Sequence, residues 1–354
     1  MFQLMRGESR SCARRILMKK VIFILIFCSC LGCYCILFLM NKILLRSEVK
    51  DLIRFKSVCK SWHSLITSPR FVNRHLNHSY NKDCCNNKLN NRRICLAYEE
   101  CFYSLVGSCN GLVCIFSYLT WTILVGNPMT REVRRLNLPS FLLFRSLCWG
   151  FGHDLSEDDY TVVVADKKGE NQTCFYLLSL KSNVWRVIGE VKYRLLTKAG
   201  ILCNGALHWL VGDNENTKKL IICYDLSKEE FKEIPLLPDD ARYESSSHSY
   251  LGVMEECLCV FWQPLSSCVV VWPMKKYNVK QSWELLRRNS NMNYESIHYL
   301  RRPKNHMLND SFFHLDESLF CSTFFDAPIF VQSLVSPHVC RTRGVCCRMA
   351  DEKV

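Results

Sequence analysis

Histidine, cysteine and acidic side chains are the groups of this chain that could bind a metal ion or perform acid–base chemistry. The one C-x-x-C pair, Cys30 and Cys33, lies inside an apolar run, and no second pair follows at the spacing of a zinc site. His75 and His78 could share a helix face, but no further ligand accompanies them, so we interpret them as surface histidines. These residues therefore predict no metal centre.

A cluster of acidic residues raises the question of calcium binding. It comprises Asp154, Glu157, Asp158 and Asp159 in the stretch GFGHDLSEDDYTVVV. A calcium-binding loop needs regularly spaced oxygen ligands and a glycine at its sharp turn, and this stretch has neither. We therefore interpret it as a solvated turn before a valine-rich strand.

Motifs of catalysis are missing from the sequence. It contains no H-E-x-x-H helix, no G-x-S-x-G elbow and no phosphate-binding loop. His208 and Trp209 lie in a strand-like run, where we expect Trp209 to be a core residue. The sequence thus predicts no catalytic residue, no cofactor and no metal, and hence a protein that is not an enzyme.

The distribution of charge divides the chain into two parts. The formal net charge is +13, yet residues 1–93 carry 18 Lys and Arg against 4 Asp and Glu, while residues 94–354 carry 28 against 29. The long C-terminal part therefore has no electrostatic support for binding nucleic acid. The basic N-terminal part fits a solvated face beside an apolar segment, with an acidic protein partner as the alternative.

Residues 21–40 form that apolar segment, VIFILIFCSCLGCYCILFLM. It has neither charge nor proline, and a helix of this length spans about 30 Å, the thickness of a bilayer core. Two interpretations stay open: a single transmembrane helix that sends the rest of the chain to the lumen, or a sequence that replaces the start of a domain. The 23 cysteines fit free thiols of a reducing compartment better than a small disulfide scaffold.

The stretch that follows has helical periodicity. Apolar residues recur at offsets of three and four from Val49 to Ile66, and basic residues fall mostly elsewhere. Ser68-Pro69 predicts the start of a second helix, because serine can cap it and proline suits its first position. Two short amphipathic helices cannot bury their apolar sides alone, so they must pack on another domain or on a partner.

Part of this stretch, RFKSVCKSWHSLITSPRFVNRHL, resembles the C-terminal half of the plant F-box. In that family the module docks on the Skp-type adaptor of a cullin-RING ubiquitin ligase. The family's opening Leu-Pro-x-x-L segment is missing, and the apolar run stands in its place. The resemblance implies that the module core and the adaptor contact consist of Val49, Leu52, Ile53, Phe55, Val58, Cys59, Trp62 and Ile66, with Trp62 as the candidate hot spot.

The C-terminal part repeats one frame of residues. NPMTREV from Asn127, SLKSNVW from Ser179 and DLSKEEF from Asp225 each begin with a polar residue and carry a large apolar residue six positions later. A fourth copy, WPMKKYNVKQSWELL, has an insertion. The spacing of 46 to 52 residues is typical of four-stranded propeller blades. Asn-Gly pairs at 110–111 and 204–205 predict tight hairpins between the strands.

The sequence therefore predicts a mainly β fold. We expect a kelch-like β-propeller of about five blades, complete or partly closed, preceded by a short α-helical F-box remnant and an apolar N-terminal helix. The repeats, with GSCNGLVC, NGALHWL and LGVMEECLCVF between them, resemble the F-box-associated domain of plants. The expected boundaries are a leader at 1–40, a partial F-box at 41–76, a polar linker at 77–100, the propeller at 101–338 and a disordered tail at 339–354.

Both resemblances imply a substrate-recognition subunit of an SCF-type ubiquitin ligase in the cytoplasm or nucleus. Its helices would bind the Skp-type adaptor, and its propeller would bind an unidentified target protein. Two alternatives stay open. One is a membrane-anchored propeller, whose lumenal part would use the glycosylation sequons at Asn77, Asn171 and Asn309. The other is a decayed member of the family that no longer binds the adaptor.

Overall fold

The computed structural model describes residues 40–85, 103–143, 147–169, 172–212, 219–234, 236, 248–254, 256–263, 270–285 and 331–338. The chain divides into two compact units, Met1–His78 and Ser79–Val354. The described part of the first unit is helical, and that of the second is mostly β-strand.

Short helices make up the described part of the first unit. Residues 40–45 are helical, and after a break at Ser47 helix α1 runs over Val49–Phe55 and helix α2 over Lys60–Thr67. Helix α3, Pro69–Cys85, begins in this unit and ends in the second. The predicted linker at 77–100 therefore starts with a helical stretch, because no glycine or proline interrupts the helix before residue 85.

The second unit contains sixteen described strands in four antiparallel sheets that follow one another along the chain. The first sheet holds β1 (Tyr103–Cys109), β2 (Leu112–Ser117), β3 (Thr122–Asn127) and β4 (Glu132–Asn137), and the second holds β5 (Leu147–Asp154), β6 (Asp159–Lys167), β7 (Thr173–Ser179) and β8 (Trp185–Val191). The third holds β9 (Arg194–Leu195), β10 (Ile201–Cys203), β11 (Ala206–Gly212), β12 (Lys219–Asp225) and β13 (Glu230–Ile234). The fourth holds β14 (His248–Met254), β15 (Cys257–Gln263) and β16 (Val270–Pro273).

The predicted hairpins and the repeated frame are both present. Asn110-Gly111 and Asn204-Gly205 have positive φ at both residues, which a tight two-residue turn requires. Each of the first three copies of the frame closes a turn in which the fifth residue donates its amide to the first residue's carbonyl, as Asn183 does to Ser179 at 2.9 Å. That fifth residue has a left-handed backbone in every case, namely Arg131, Asn183 and Glu229.

The fourth copy of the frame ends in a shorter strand pairing. Met274 and Trp283 form an isolated antiparallel bridge, and Glu284 donates its amide to the Pro273 carbonyl at 3.1 Å. This pairing stands where β4, β8 and β13 stand in the other sheets. The insertion predicted from the sequence is thus the loop between Met274 and Trp283.

Neighbouring sheets meet through their first strands, as in a propeller. A Cβ placed on Gly107 of β1 would lie 3.1 Å from Phe151 Cβ of β5, so these two strands approach at van der Waals distance. The Cys109 thiol also accepts a backbone hydrogen bond from His153. Gly107 of β1 thus faces Phe151 of β5, and Cys109 faces His153, two residues further along each strand. The strands β1 and β5 therefore run in the same direction, as the first strands of propeller blades do.

The sheets bury large side chains between them. Trp209 of β11 and Phe175 of β7 are 0% exposed, and their rings lie 5.3 Å apart with planes at 66°. Gly150 of β5 makes room for this packing, because a Cβ there would lie 2.9 Å from Trp209 Cζ2. The expectation that Trp209 belongs to the core is therefore confirmed.

Residues 331–338 return to the first sheet. Asn127, which is fully buried, donates its side-chain amide to the carbonyls of Ser333 at 3.1 Å and Val335 at 2.7 Å. The Ser333 hydroxyl donates to the Asn110 carbonyl at 2.7 Å. A Cβ on Gly111 would lie 2.3 Å from Ser333 Oγ, so this contact needs glycine at the turn. The end of the repeat region is thereby fixed to its beginning.

The mainly β, propeller-like fold preceded by short helices is confirmed. Four sheets are described where about five blades were predicted, and residues 286–330 lie outside the described part. The predicted apolar helix at 21–40 and the tail at 339–354 also lie outside it, apart from residue 40. Among the described residues, no helix has the length and apolar character needed to cross a bilayer.

One buried histidine gives the propeller a pH-dependent stability. His208 is 0% exposed; its Nδ1–H donates to the Ile201 carbonyl at 3.0 Å, and Nε2 accepts from the Tyr277 hydroxyl at 2.8 Å. Burial lowers the pKa of His208 from 6.5 to about 4. Between pH 6.5 and pH 4 the unfolded chain therefore binds a proton at His208 that the folded chain does not bind. The free energy of unfolding is thus highest above pH 6.5 and falls as the pH is lowered from 6.5 to 4.

We expect wild type to lose about 3 kcal/mol of unfolding free energy through this group between neutral pH and pH 4. The measurement is chemical denaturation across that range, compared with His208→Gln. The variant should be less stable at neutral pH and should lack this component of the pH dependence. Parallel pH curves for the two proteins would contradict the assignment.

Candidate functional site

A closed apolar core holds the described helices of the first unit together. Leu44, Val49, Leu52 and Ile66 are each 2% exposed or less. Leu44 comes from the helical residues 40–45, which precede the part of the sequence that shows helical periodicity. The helical residues before Ser47 therefore contribute to the core of the unit.

Trp62 lies inside this unit rather than on its surface. It is 5% exposed, and its ring meets the edge of Phe55 at a centroid distance of 5.4 Å and an interplanar angle of 80°. Edge-to-face pairs of this kind stabilise a core beyond the area that they bury. Trp62 on α2 and Phe55 at the end of α1 thus fix the two helices to each other.

The start of α3 has the predicted cap. The Ser68 hydroxyl accepts the Phe71 amide at 3.3 Å and donates to the Leu65 carbonyl at 2.7 Å, and Pro69 is the first helical residue. His75 on α3 is 3% exposed, so its interpretation as a surface histidine is wrong. Its Nε2–H donates to the Ser47 carbonyl at 2.9 Å, which satisfies the backbone where the first helical residues end.

The connection between α1 and α2 carries an exposed aliphatic side chain. The Ser57 hydroxyl donates to the Arg54 carbonyl at 2.7 Å, where α1 ends. Val58 follows with 48% of its surface exposed, and Cys59, also exposed, is the N-cap residue of α2. The basic side chains of Lys50, Arg54, Lys60, Arg70 and Arg74 are exposed on the same unit.

The eight residues predicted from the sequence therefore divide into two groups. Val49, Leu52, Trp62 and Ile66 are buried and hold the unit together. Ile53 and Phe55 are half-buried, and Val58 and Cys59 are exposed. The helical stripe identified the core members, but a stripe cannot separate a core position from a contact position.

The acidic cluster of the propeller is structural in part. Asp154 and Asp159 are buried, whereas Glu157 and Asp158 are exposed as predicted. Burial raises the pKa of Asp154, but hydrogen bonds from Ser156 and Ser227 outweigh it and hold that pKa below its usual range. The interpretation as a fully solvated turn is thus wrong for two of the four residues.

The described side chains offer little for catalysis. Among them, no group of three or more His, Cys, Asp and Glu residues is placed to hold a metal ion. Burial raises the pKa of Cys203 and of Cys259 to about 12, so these thiols are poor nucleophiles at neutral pH. The arrangement instead presents protein surfaces: an apolar and basic helical unit, and the loops of a propeller.

Comparison with known proteins matches both parts of the chain. Residues 38–74 match the F-box domain, and residues 65–326 match the F-box associated beta propeller domain. An F-box/kelch-repeat protein of Arabidopsis thaliana is 29% identical over 284 residues, which cover 70% of this chain and 77% of that protein. The F-box protein CPR1 of Arabidopsis thaliana is 29% identical over 292 residues, covering 69% and 70%.

Truncating Trp62 should open the helical unit. We expect Trp62→Ala to lower the free energy of unfolding by about 3 to 5 kcal/mol, because it removes the contact with Phe55 and leaves a cavity. Val58→Asp should leave stability unchanged within about 0.5 kcal/mol, since Val58 is exposed. Hydrogen exchange of the amides in residues 49–67 measures both effects. Equal exchange in the two variants would show that Trp62 does not hold the helices together.

Proposed function

Because this chain belongs to the plant F-box proteins that carry an F-box-associated β-propeller domain, we propose that it is a non-catalytic substrate receptor of an SCF-type ubiquitin ligase. The helical unit binds the Skp-type adaptor, and the propeller binds a target protein. Other subunits supply the ubiquitin-charged enzyme. Holding the target beside that enzyme raises its effective concentration, which is the whole contribution of this chain to the reaction.

The observation that carries this proposal is the accessible connection between α1 and α2. Val58 exposes 48% of its surface and stands beside exposed Cys59, on a unit whose core contains the buried Leu44, Val49, Leu52 and Ile66. An exposed aliphatic side chain gains roughly 1 kcal/mol when a partner covers about half of its surface. The adaptor would also cover the half-buried Ile53 and Phe55.

Trp62 has an indirect part in this proposal. Its burial leaves little surface for a partner, so it supports docking by holding α1 and α2 in place. Its truncation would still weaken adaptor binding, because the contact surface would lose its shape. The residues that touch the adaptor are then Ile53, Phe55, Val58 and Cys59.

The basic side chains of the unit favour an acidic surface on the adaptor. Exposed Lys50, Lys60 and Arg70 are among them. Complementary charge of this kind increases the association rate more than the final affinity, and added salt screens it. Adaptor association should therefore slow as the salt concentration rises.

Adaptor capture by the purified protein tests the docking step. We expect wild type to bind the Skp-type adaptor, and Val58→Asp to bind about tenfold more weakly or worse, because a carboxylate would be buried in the contact. Asn73→Asp adds the same charge at an exposed position of α3 and should bind like wild type. Absence of adaptor binding by the folded wild-type protein would contradict the proposal.

We further propose that the protein acts in the cytoplasm or nucleus. The nine cysteines whose side chains are described all carry free thiols, as a reducing compartment favours. The alternative is a propeller in the lumen, anchored in the membrane by residues 21–40.

Treatment of the expressed protein with an N-glycosidase separates these two placements. Asn77 of the sequon Asn77-His78-Ser79 is exposed on α3, so it would be available to the glycosylation machinery of the lumen. We expect no change in electrophoretic mobility for wild type or for Asn77→Gln. A shift for wild type that is reduced in the variant would place the chain in the lumen and exclude work with a cytosolic ligase.

A further inference from the structure

The hairpin turn between β2 and β3 presents large apolar side chains to solvent. Its four residues are Tyr118, Leu119, Thr120 and Trp121, and we call them the aromatic tip. Leu119 is 59% exposed, and both ring side chains are partly exposed. Aromatic side chains with a polar end are over-represented among the residues that dominate binding energy at protein interfaces.

The last residue of the aromatic tip has a left-handed backbone. Trp121 has φ of 52°, a left-handed conformation that is an outlier for a bulky side chain. The four-residue turns before β4, β6 and β13 place Arg131, Asp158 and Glu229 at the same left-handed position, so this conformation belongs to the turn type. What distinguishes the tip is that a tryptophan holds this position, beside the exposed Leu119.

Phe116 of β2 fixes the aromatic tip to the core of the propeller. Its ring lies 4.8 Å from the Tyr118 ring, 5.7 Å from the Trp121 ring and 4.3 Å from the Trp149 ring, with which it stacks. Trp149 belongs to β5 in the next sheet and is buried. The tip is therefore held in one arrangement before any partner arrives, which lowers the entropic cost of binding.

Basic side chains lie at the same end of the propeller. The Trp149 amide donates to the Lys198 carbonyl at 2.7 Å, so Lys198, which is exposed, lies close to the aromatic residues. In the second sheet, Leu147 pairs with Asp166, which places exposed Lys167 at this end as well. Among the described residues 166–169 and 190–200 there are five Lys and Arg against Asp166 and Glu190.

Both acidic residues there already have partners. Asp166 is 2% exposed and forms an ion pair of 3.1 Å with Lys168. The Gln172 side-chain amide donates to Glu190 at 2.5 Å. The neutral Gln172 leaves the charge of Glu190 in place, so the described residues of these two ranges, with five Lys and Arg against two acidic residues, carry a net charge of +3, and Lys167 and Lys198 are exposed among them.

The opposite end of the second sheet differs in charge. The turn between β5 and β6 exposes Leu155 at 77%, but Glu157 and Asp158 are exposed next to it. It lies at the other end because β1 and β5 run in the same direction, whereas the aromatic tip follows β2, which runs antiparallel to β1. An exposed leucine at a hairpin turn is thus combined with exposed Lys167 and Lys198 at one end, and with Glu157 and Asp158 beside the half-buried Lys181 at the other.

We propose that the aromatic tip, together with Lys167 and Lys198, is the surface that docks the target, and that it recognises an acidic segment carrying a large apolar side chain. The apolar side chain packs on Leu119 and Trp121, and the carboxylates of the segment meet the two lysines. This inference rests on the proposed function, in which the propeller is the target-binding part of the chain.

Selection of random peptides displayed on phage against the purified full-length protein tests the proposal. We expect the enriched peptides to combine Asp and Glu with a large apolar residue. A fluorescent copy of one such peptide should bind wild type, and replacement of its Asp and Glu by Asn and Gln should weaken binding about tenfold or more. No enrichment, or enrichment of neutral or basic peptides, would overturn the proposal.

Matched variants locate the binding surface. Leu119→Asp and Lys198→Glu should each weaken the acidic peptide about tenfold or more, whereas Leu155→Asp, the same change at the opposite end, should leave binding unchanged. Leu119→Lys loses the apolar contact but keeps favourable charge, so it should bind better than Leu119→Asp. Equal affinity of the peptide for wild type and Leu119→Asp would contradict the proposed surface.

Adaptor capture by Leu119→Asp distinguishes this inference from the proposed function. The variant should retain the adaptor and lose the peptide. If acidic peptides bind normally but the adaptor does not bind wild type, the receptor role fails and the docking surface stands. If the adaptor binds but the tip variants do not affect the peptide, the docking surface fails and the receptor role stands.

Discussion

Strands inside the sheets of this protein are apolar on both faces, and this constraint governs the propeller. Every residue of β2 and of β11 is buried, so both faces of these strands must be covered. A single sheet cannot achieve this in water, but a sheet between two neighbours can. The glycines at 107 and 150 allow the close approach of neighbouring strands, and the Asn127 contacts with Ser333 and Val335 hold the last described segment on the first sheet.

The helical unit must also bury apolar side chains, but with far fewer residues. Its helices are short, yet Phe55 and Trp62 close a core with Leu52 and Ile66. One aliphatic side chain, Val58, stays accessible between α1 and α2, where a partner can cover it. In the proposed role of a ligase receptor the propeller binds the target and the helical unit docks on the adaptor, and neither part needs catalytic residues for this.

Local sequence patterns predicted most of the fold. Asn-Gly pairs and the frame that begins at Asn127, Ser179 and Asp225 specify turns through nearby residues, so the hairpins and sheets could be anticipated. Burial depends on residues far apart in the chain. The sequence could not show that the buried His75 donates a hydrogen bond to the Ser47 carbonyl. Nor could it show that Asp154 accepts one from the Ser227 hydroxyl at 2.9 Å. The aromatic tip was missed for the same reason, although its run of large apolar residues in a turn is a visible signal.

The division of the helical unit into core and contact residues is the central claim, and site-specific photo-crosslinking tests it most directly. A photoreactive amino acid would replace Val58 in one protein and Asn73 in another, each mixed with the purified Skp-type adaptor. The account predicts a crosslink to the adaptor from position 58 and none from position 73. A crosslink from position 73 alone, or from neither position while the adaptor remains bound, would contradict it.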